Sequence, residues 1–148
     1  MATGTFDLLH MGHIYYLKEA KKLGDRLIVV VACNETVQKL KHEPVTSEQL
    51  RLGLIKELKV VDEAYLGRKD DMYAIVEELQ PYIIALGFDQ IYNKDLIQKE
   101  MRKRNLTTKI VRLPQFKDMN DLDGTRRIIS KIIDAYKFQK EMEAIEKP

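Results

Sequence analysis

The chain has 148 residues, 45% apolar and 32% charged with 7 Gly and 4 Pro, a globular composition that excludes the disordered and fibrous classes and fits one domain. Twenty-five basic against 23 acidic side chains leave a formal charge of +2, too even a balance to argue for a nucleic acid or a membrane as partner. Cys33 is the only cysteine, which excludes an internal disulfide framework or a cysteine-ligated metal cluster and fits a reducing, cytoplasmic compartment.

Short β-branched runs alternate with stretches of helical period from the first residue onward. Strands are predicted at Met1 to Gly4, Leu27 to Cys33, Glu63 to Leu66, Tyr82 to Leu86 and Lys109 to Leu113. The longest apolar run, Leu27 to Cys33, is strand-sized and too short to span a membrane. Between the strands, Ile14, Leu17 and Ala20 mark one helical face. Leu50, Leu54, Ile55 and Leu58 mark a second, and Met72, Ile75, Val76 and Leu79 a third. Asn93 to Arg104 is predicted as a more charged helix.

A last helix is predicted from about Gly124 to Phe138, where Ile128, Ile129, Ile132, Ile133 and Tyr136 form a stripe that needs the sheet or another subunit to cover it. The alternation predicts an α/β fold, a Rossmann-like open parallel sheet of about five strands flanked by helices. One domain is expected over residues 1–138, followed by a charged tail at 139–148. No export leader is expected, because the chemically suggestive segment already begins at Gly4.

That segment is Gly4-Thr5-Phe6-Asp7-Leu8-Leu9-His10-Met11-Gly12-His13, set between a strand end and an amphipathic helix, where open α/β sheets bind ligands. A helix starting near Gly12 would point backbone N–H groups and its positive dipole end at an anion. Gly12 allows close approach of a phosphate, and His10 and His13 can donate ring N–H bonds to its oxygens. Two other readings stand beside it: a metal shared by His10, His13 and Asp7, which lacks an obvious further ligand, and a purely structural loop. Neither a P-loop nor a G-x-G-x-x-G fingerprint is present.

Gly-Thr-Phe-Asp followed by His-x-Gly-His resembles the nucleotidyltransferase superfamily that contains the small cytidylyltransferases. The segments Asn34 to Lys41, Arg51 and Leu86-Gly87-Phe88-Asp89-Gln90 extend the likeness, across nearly the whole chain, to the archaeal FAD synthase family. The resemblance implies transfer of AMP from ATP to FMN, giving FAD and pyrophosphate, and a homodimer. It also implies that Thr5, Phe6, the run His10-Met11-Gly12-His13 and Asp89 contact ATP. The family often has Pro where Met11 stands, and its late Ser/Thr-Ser/Thr-Lys-Ile signature reads here as Thr125-Arg126-Arg127-Ile128. A second register, at Ser130 and Lys131, stays open.

The chemistry that the resemblance implies needs positioning and charge stabilisation more than a base, since a phosphate monoester is mostly a dianion at neutral pH. His10 and His13 would stabilise the α- and β-phosphates, with Lys39, Lys41, Arg51, Arg126 and Arg127 as candidate clamps. Lys39 and Lys41 read equally well as solvated surface lysines. A divalent cation, Mg²⁺ by its chemistry, would be held mainly by the triphosphate with Asp7 nearby. The competing functions are a cytidylyltransferase or adenylyltransferase acting on glycerol 3-phosphate or a sugar phosphate, and a nucleotide-binding regulator without turnover. Phe88, Tyr92 and Phe116 are the candidate contributors to a flavin pocket.

Overall fold

The computed structural model describes residues 1–40, 43–116 and 124–146. Its strands are β1 (Ala2–Gly4), β2 (Ile28–Val31), β3 (Glu63–Leu66), β4 (Ile83–Leu86) and β5 (Lys109–Arg112). Its helices are α1 (Met11–Lys21), α2 (Asn34–Leu40), α3 (Glu48–Lys56), α4 (Ala74–Leu79), α5 (Lys94–Lys103) and α6 (Thr125–Glu146). The strands form one parallel sheet in the order β3-β2-β1-β4-β5. The α/β, Rossmann-like expectation therefore holds, and each predicted strand lies within a residue or two of its observed bounds.

The sheet is buried on both faces, which is why its strands read as apolar runs rather than alternating ones. In β2, Val29 and Val31 face a core built with Leu17 and Ala20 of α1 and Ile55 of α3. Val30 faces the opposite core, built with Ile75 and Val76 of α4 and Ile97 and Met101 of α5. The strand order reverses between β1 and β4, so the crevice at their carboxyl ends is the topological switch point where ligands of such sheets bind.

Two helical expectations are corrected. In α3 the inward face is Arg51 and Ile55, whereas Leu50 and Leu54 are 50% and 41% exposed; a buried guanidinium takes the place the leucine stripe was expected to fill. The last helix runs to Glu146 instead of ending near Phe138. Bonds from Gln139 and Lys140 to Glu143, three and four residues apart, support its exposed later turns. Its stripe at Ile132, Ile133 and Tyr136 stays exposed in the single chain and does not pack on the sheet.

Candidate active site

The turn leaving β1 is strained and heavily braced. Phe6 and Leu8 both lie in the left-handed region, at φ 55° and 48°, a conformation that costs roughly 1 kcal/mol or more for a non-glycine residue. Burial of the Phe6 ring, 2% exposed, offsets part of that cost. The ring folds back over Gly4, where an added Cβ would sit 2.9 Å from it, so glycine is required there for close packing. Phe6 accordingly supports the turn from beneath, its ring edge against His13 at a centroid distance of 5.4 Å, and any contact of this residue with ATP falls to its main chain.

Asp7, between the two strained residues, is tied to the loop before α3. Its carboxylate accepts from the Val45 N–H at 2.8 Å, the Thr46 N–H at 3.0 Å and the Thr46 hydroxyl at 2.6 Å. Burial works to raise its pKa, but these bonds and the charge of Arg51 outweigh it and hold the group below the ordinary aspartate value. Both oxygens thus accept from protein donors, and Asp7 braces the turn against the loop before α3.

Arg51 is 1% exposed and donates to the carbonyls of Thr5 (2.7 Å), Ala32 (2.8 Å) and Thr46 (3.2 Å) and to Asn34 Oδ1 (2.6 Å). One guanidinium so joins the β1 turn, the end of β2, the start of α2 and the α3 approach. Arg rather than Lys suits this task because its donors form a planar fork.

His10 and His13 meet at the mouth of this frame. His10 is the extended N-cap of α1, at φ −143° and ψ 172°, and its carbonyl accepts from the His13 and Ile14 N–H groups at 3.0 and 3.3 Å. The two rings stack at 3.8 Å with 25° between their planes. The side chain of His10 does not cap the helix, so the first turn of α1, with Met11 and Gly12, presents its N–H groups and dipole beside the imidazoles. Met11 is 53% exposed at that opening.

The first turn of α6 reaches the same place. Thr125 donates its hydroxyl to the Asp7 carbonyl at 2.6 Å, which sets exposed Arg126 and Arg127 on the turn adjoining the His10 loop, with Ser130 and Lys131 one turn further on. Lys39 is exposed on the last turn of α2. Lys41, expected as a catalytic cation, lies outside the described residues. Asp89 is exposed in the β4–α5 loop and does not cap α5, since Asn93 does so by accepting from the Asp95 and Leu96 N–H groups.

Three residues hold positions in the site that the sequence did not reveal, although Gln90 belongs to a segment that carries the family resemblance. Tyr16 on α1 sits between β1 and β4, its hydroxyl 2.8 Å from the Ala85 carbonyl and 3.1 Å from both the N–H and the carbonyl of Thr3. Burial pushes its phenol far above the ordinary tyrosine range. Gln90 donates to the Thr3 carbonyl at 2.6 Å and accepts from the Gly87 N–H at 3.2 Å, anchoring the loop that carries Asp89. Arg112, at the end of β5, donates to the carbonyls of Gly87 (2.8 Å), Gln90 (3.0 Å) and Tyr92, and so gathers that loop from the other side. Each depends on strand order, which no local pattern reveals.

On the α4–α5 face of the sheet an apolar cleft of about 130 Å³ opens beside the turn, its wall including Thr3, Gly4 and Thr5. Of the aromatic residues expected around a flavin, only Tyr92 lines it. Phe88 is 54% exposed elsewhere, and Phe116 packs on Tyr15 with ring centroids 4.9 Å apart.

A parallel five-stranded sheet with a histidine pair at the first helix N-terminus, beside the switch point, defines an α/β protein that handles nucleotide phosphates. The chain belongs to the cytidylyltransferase-like family, whose model matches residues 1–133. It is 53% identical over 134 residues to the FAD synthase of Aciduliprofundum boonei, covering 90% of this chain and 89% of that one. The FAD synthase of Methanothermus fervidus is 50% identical over 135 residues, covering 89% and 92%. Among solved structures, one described as a lipopolysaccharide core biosynthesis protein, from Thermoplasma volcanium, superposes with a TM-score of 0.77 at 50% identity, covering 79% of this chain and 96% of that one. The pantothenate synthetase of Thermus thermophilus shares the fold at 16% identity and a TM-score of 0.52.

Proposed function

We propose that this chain is an FMN adenylyltransferase, a nucleotidyltransferase that moves AMP from ATP onto the phosphate of FMN to give FAD and pyrophosphate. The observation that carries the reading is the stacked His10 and His13 pair at the N-terminus of α1, on a frame shared with relatives named FAD synthase. A phosphate oxygen of FMN attacks the α-phosphorus of ATP; the new oxygen–phosphorus bond forms as the bond to the β-phosphate oxygen breaks, and pyrophosphate leaves with the electron pair. The attacking group is already a dianion at neutral pH, so no protein base is needed.

What the protein supplies is geometry and positive potential. His10 and His13 donate to the α- and β-phosphate oxygens, and the first turn of α1 adds N–H groups and its dipole. Arg126 and Arg127 at the start of α6, with Lys39 and Lys41, neutralise the triphosphate, and Asp89 accepts from the adenosine. Among the described residues no group of three His, Cys, Asp or Glu side chains is arranged to hold a metal, and Asp7 is already bonded. A divalent cation, Mg²⁺ by its chemistry, would be held mainly by the triphosphate oxygens with Asp7 nearby.

The same reading places the protein in the cytoplasm as a homodimer, without nucleic acid as partner. The exposed stripe of Ile132, Ile133 and Tyr136 supports a second copy, and among the described residues no helix is long and apolar enough to cross a membrane. The test is a product analysis under initial-rate conditions. With ATP, Mg²⁺ and FMN the protein is expected to form FAD and pyrophosphate, and with CTP and glycerol 3-phosphate little product. Strong CDP-glycerol formation without FAD would leave the family standing and overturn the acceptor, and absence of pyrophosphate release with every acceptor would make the chain a nucleotide-binding regulator.

A further inference from the structure

We infer that the apolar cleft on the α4–α5 face seats the three-ring head of the flavin, with Met72 and Ile91 at its edge selecting the acceptor. This rests on the FMN reading above and says where that substrate lies and what recognises it. The cleft is contiguous with the phosphate turn, since Gly4 and Thr5 belong to its wall and lead within a few residues to His10. A molecule with its ring in the cleft and its tail toward Thr5 brings a terminal phosphate to the histidine pair.

The lining chemistry favours a flavin over an adenine. Val30, Val76, Ile84, Leu86 and Ile97 make one stretch of the wall wholly aliphatic. Adenine is bounded by nitrogen donors and acceptors that would lose water there without replacement, at a cost no apolar contact returns. The dimethylbenzene edge of an isoalloxazine has no such groups and gains from burial. The rest of the lining holds polar side chains, among them Thr36, Gln90 and Arg68, which suits a ring with one apolar and one polar edge.

The aromatic content points the same way. Tyr73 and Tyr92 both line the cleft and are half-buried, as flat partners for a flat ring. Burial raises both phenol pKa values, and Tyr73 lies close enough to Tyr92 to raise the latter further. Met72 and Ile91 also line the cleft, yet remain 42% and 67% exposed, large apolar groups that the fold itself leaves in water. Asp89, exposed on the same β4–α5 loop, is left to the adenosine.

The experiment is steady-state kinetics of wild type, Met72→Ala, Ile91→Ala and the double variant with FMN and ATP varied separately, together with inhibition by riboflavin, which has the ring and no phosphate. Each single variant is expected to raise the KM for FMN and the inhibition constant of riboflavin by about tenfold, the double variant by more, and the KM for ATP by less than about twofold. Because Ile91 is 67% and Met72 42% exposed, the variants are expected to fold, and an unchanged KM for ATP reports that directly. A rise confined to ATP would assign the cleft to the adenosine, and unchanged constants for FMN and riboflavin would show that it seats neither; either result overturns the inference while FAD synthesis by wild type stands. A wild-type protein that makes no FAD fails the underlying reading instead.

Discussion

The hydroxyl of Tyr16 donates to the carbonyl of Ala85 at 2.8 Å, from a helix into the sheet at the point where the strand order reverses. β1 and β4 register at Ala2 and Ala85, but Thr3, one residue on, bonds to the side chains of Tyr16 and Gln90. These side chains stand where further ladder bonds would close the crevice. Tyr16→Phe keeps the ring and removes the hydroxyl, leaving the Thr3 N–H and Ala85 carbonyl short of a partner. The expected outcome is a loss of about 1–3 kcal/mol in urea unfolding, with the slope against urea unchanged.

Arg51 is the strut of the site, and its removal is expected to act on stability before chemistry. Arg51→Ala strands three backbone carbonyls and the Asn34 side chain in a buried space, at a cost of about 3–5 kcal/mol. Arg51→Lys is expected to recover little, because an ammonium cannot span four acceptors arranged for a fork. Denaturation midpoints of the two variants check this; a stable Arg51→Ala with only its ATP affinity reduced would restore the clamp role.

The sheet was legible in the sequence because strands covered on both faces read as apolar runs, and Leu27 to Cys33 shows this most clearly. The place of the turn that carries His10, Gly12 and His13 was legible because it falls between a β-branched run and a helical period. The buried place of Arg51 was not legible, for a physical reason. A charge within a leucine-rich helix looks like a site residue, and periodicity cannot show that carbonyls from three other segments converge on it. The bonds of Tyr16 to Ala85, Gln90 to Thr3 and Arg112 to the β4–α5 loop were not legible, because those partners lie 69, 87 and 20 to 25 residues away and meet only once β1, β4 and β5 are side by side.

Asp7 gives the fold an acid-sensitive joint. Its pKa is lowered in the folded state, so its contribution to stability is complete above the unfolded value of about 3.9 and is lost as pH falls through the lower folded value. Asp7→Asn is expected to be less stable than wild type at neutral pH, and the gap between the two is expected to narrow below about pH 4. Unfolding midpoints measured from pH 6 down to about pH 2.5 test this. A gap that widened in acid would mean that Asp7 is protonated in the native protein.

The bond from Thr125 to the Asp7 carbonyl sets the first turn of α6 beside the turn that leads to His10. Arg127→Ala is expected to lower kcat/KM for ATP by about 10- to 100-fold, the range for a charge-assisted hydrogen bond to phosphate. Lys131→Ala, one turn further from that bond, is expected to stay within about twofold. Kinetics showing the reverse would select the register at Ser130 and Lys131.

The histidine pair is expected to act on the transition state more than on binding. In bound ATP the α- and β-phosphate oxygens already share their charge with solvent and cation, whereas bond breaking moves further charge onto the leaving pyrophosphate. A donor fixed at that position gains strength as the reaction proceeds, and stacking at 3.8 Å, with the Phe6 edge behind His13, holds both rings in place beforehand. His10→Ala and His13→Ala are therefore each expected to lower kcat by roughly 100- to 1000-fold with a smaller change in the KM for ATP. Because the rings are stacked, losing one frees the other to tilt, so the double variant is expected to fall short of the product of the two single effects. Single-turnover rates at saturating ATP separate this from a binding defect. Near-normal turnover in either single variant would remove the pair from the chemistry.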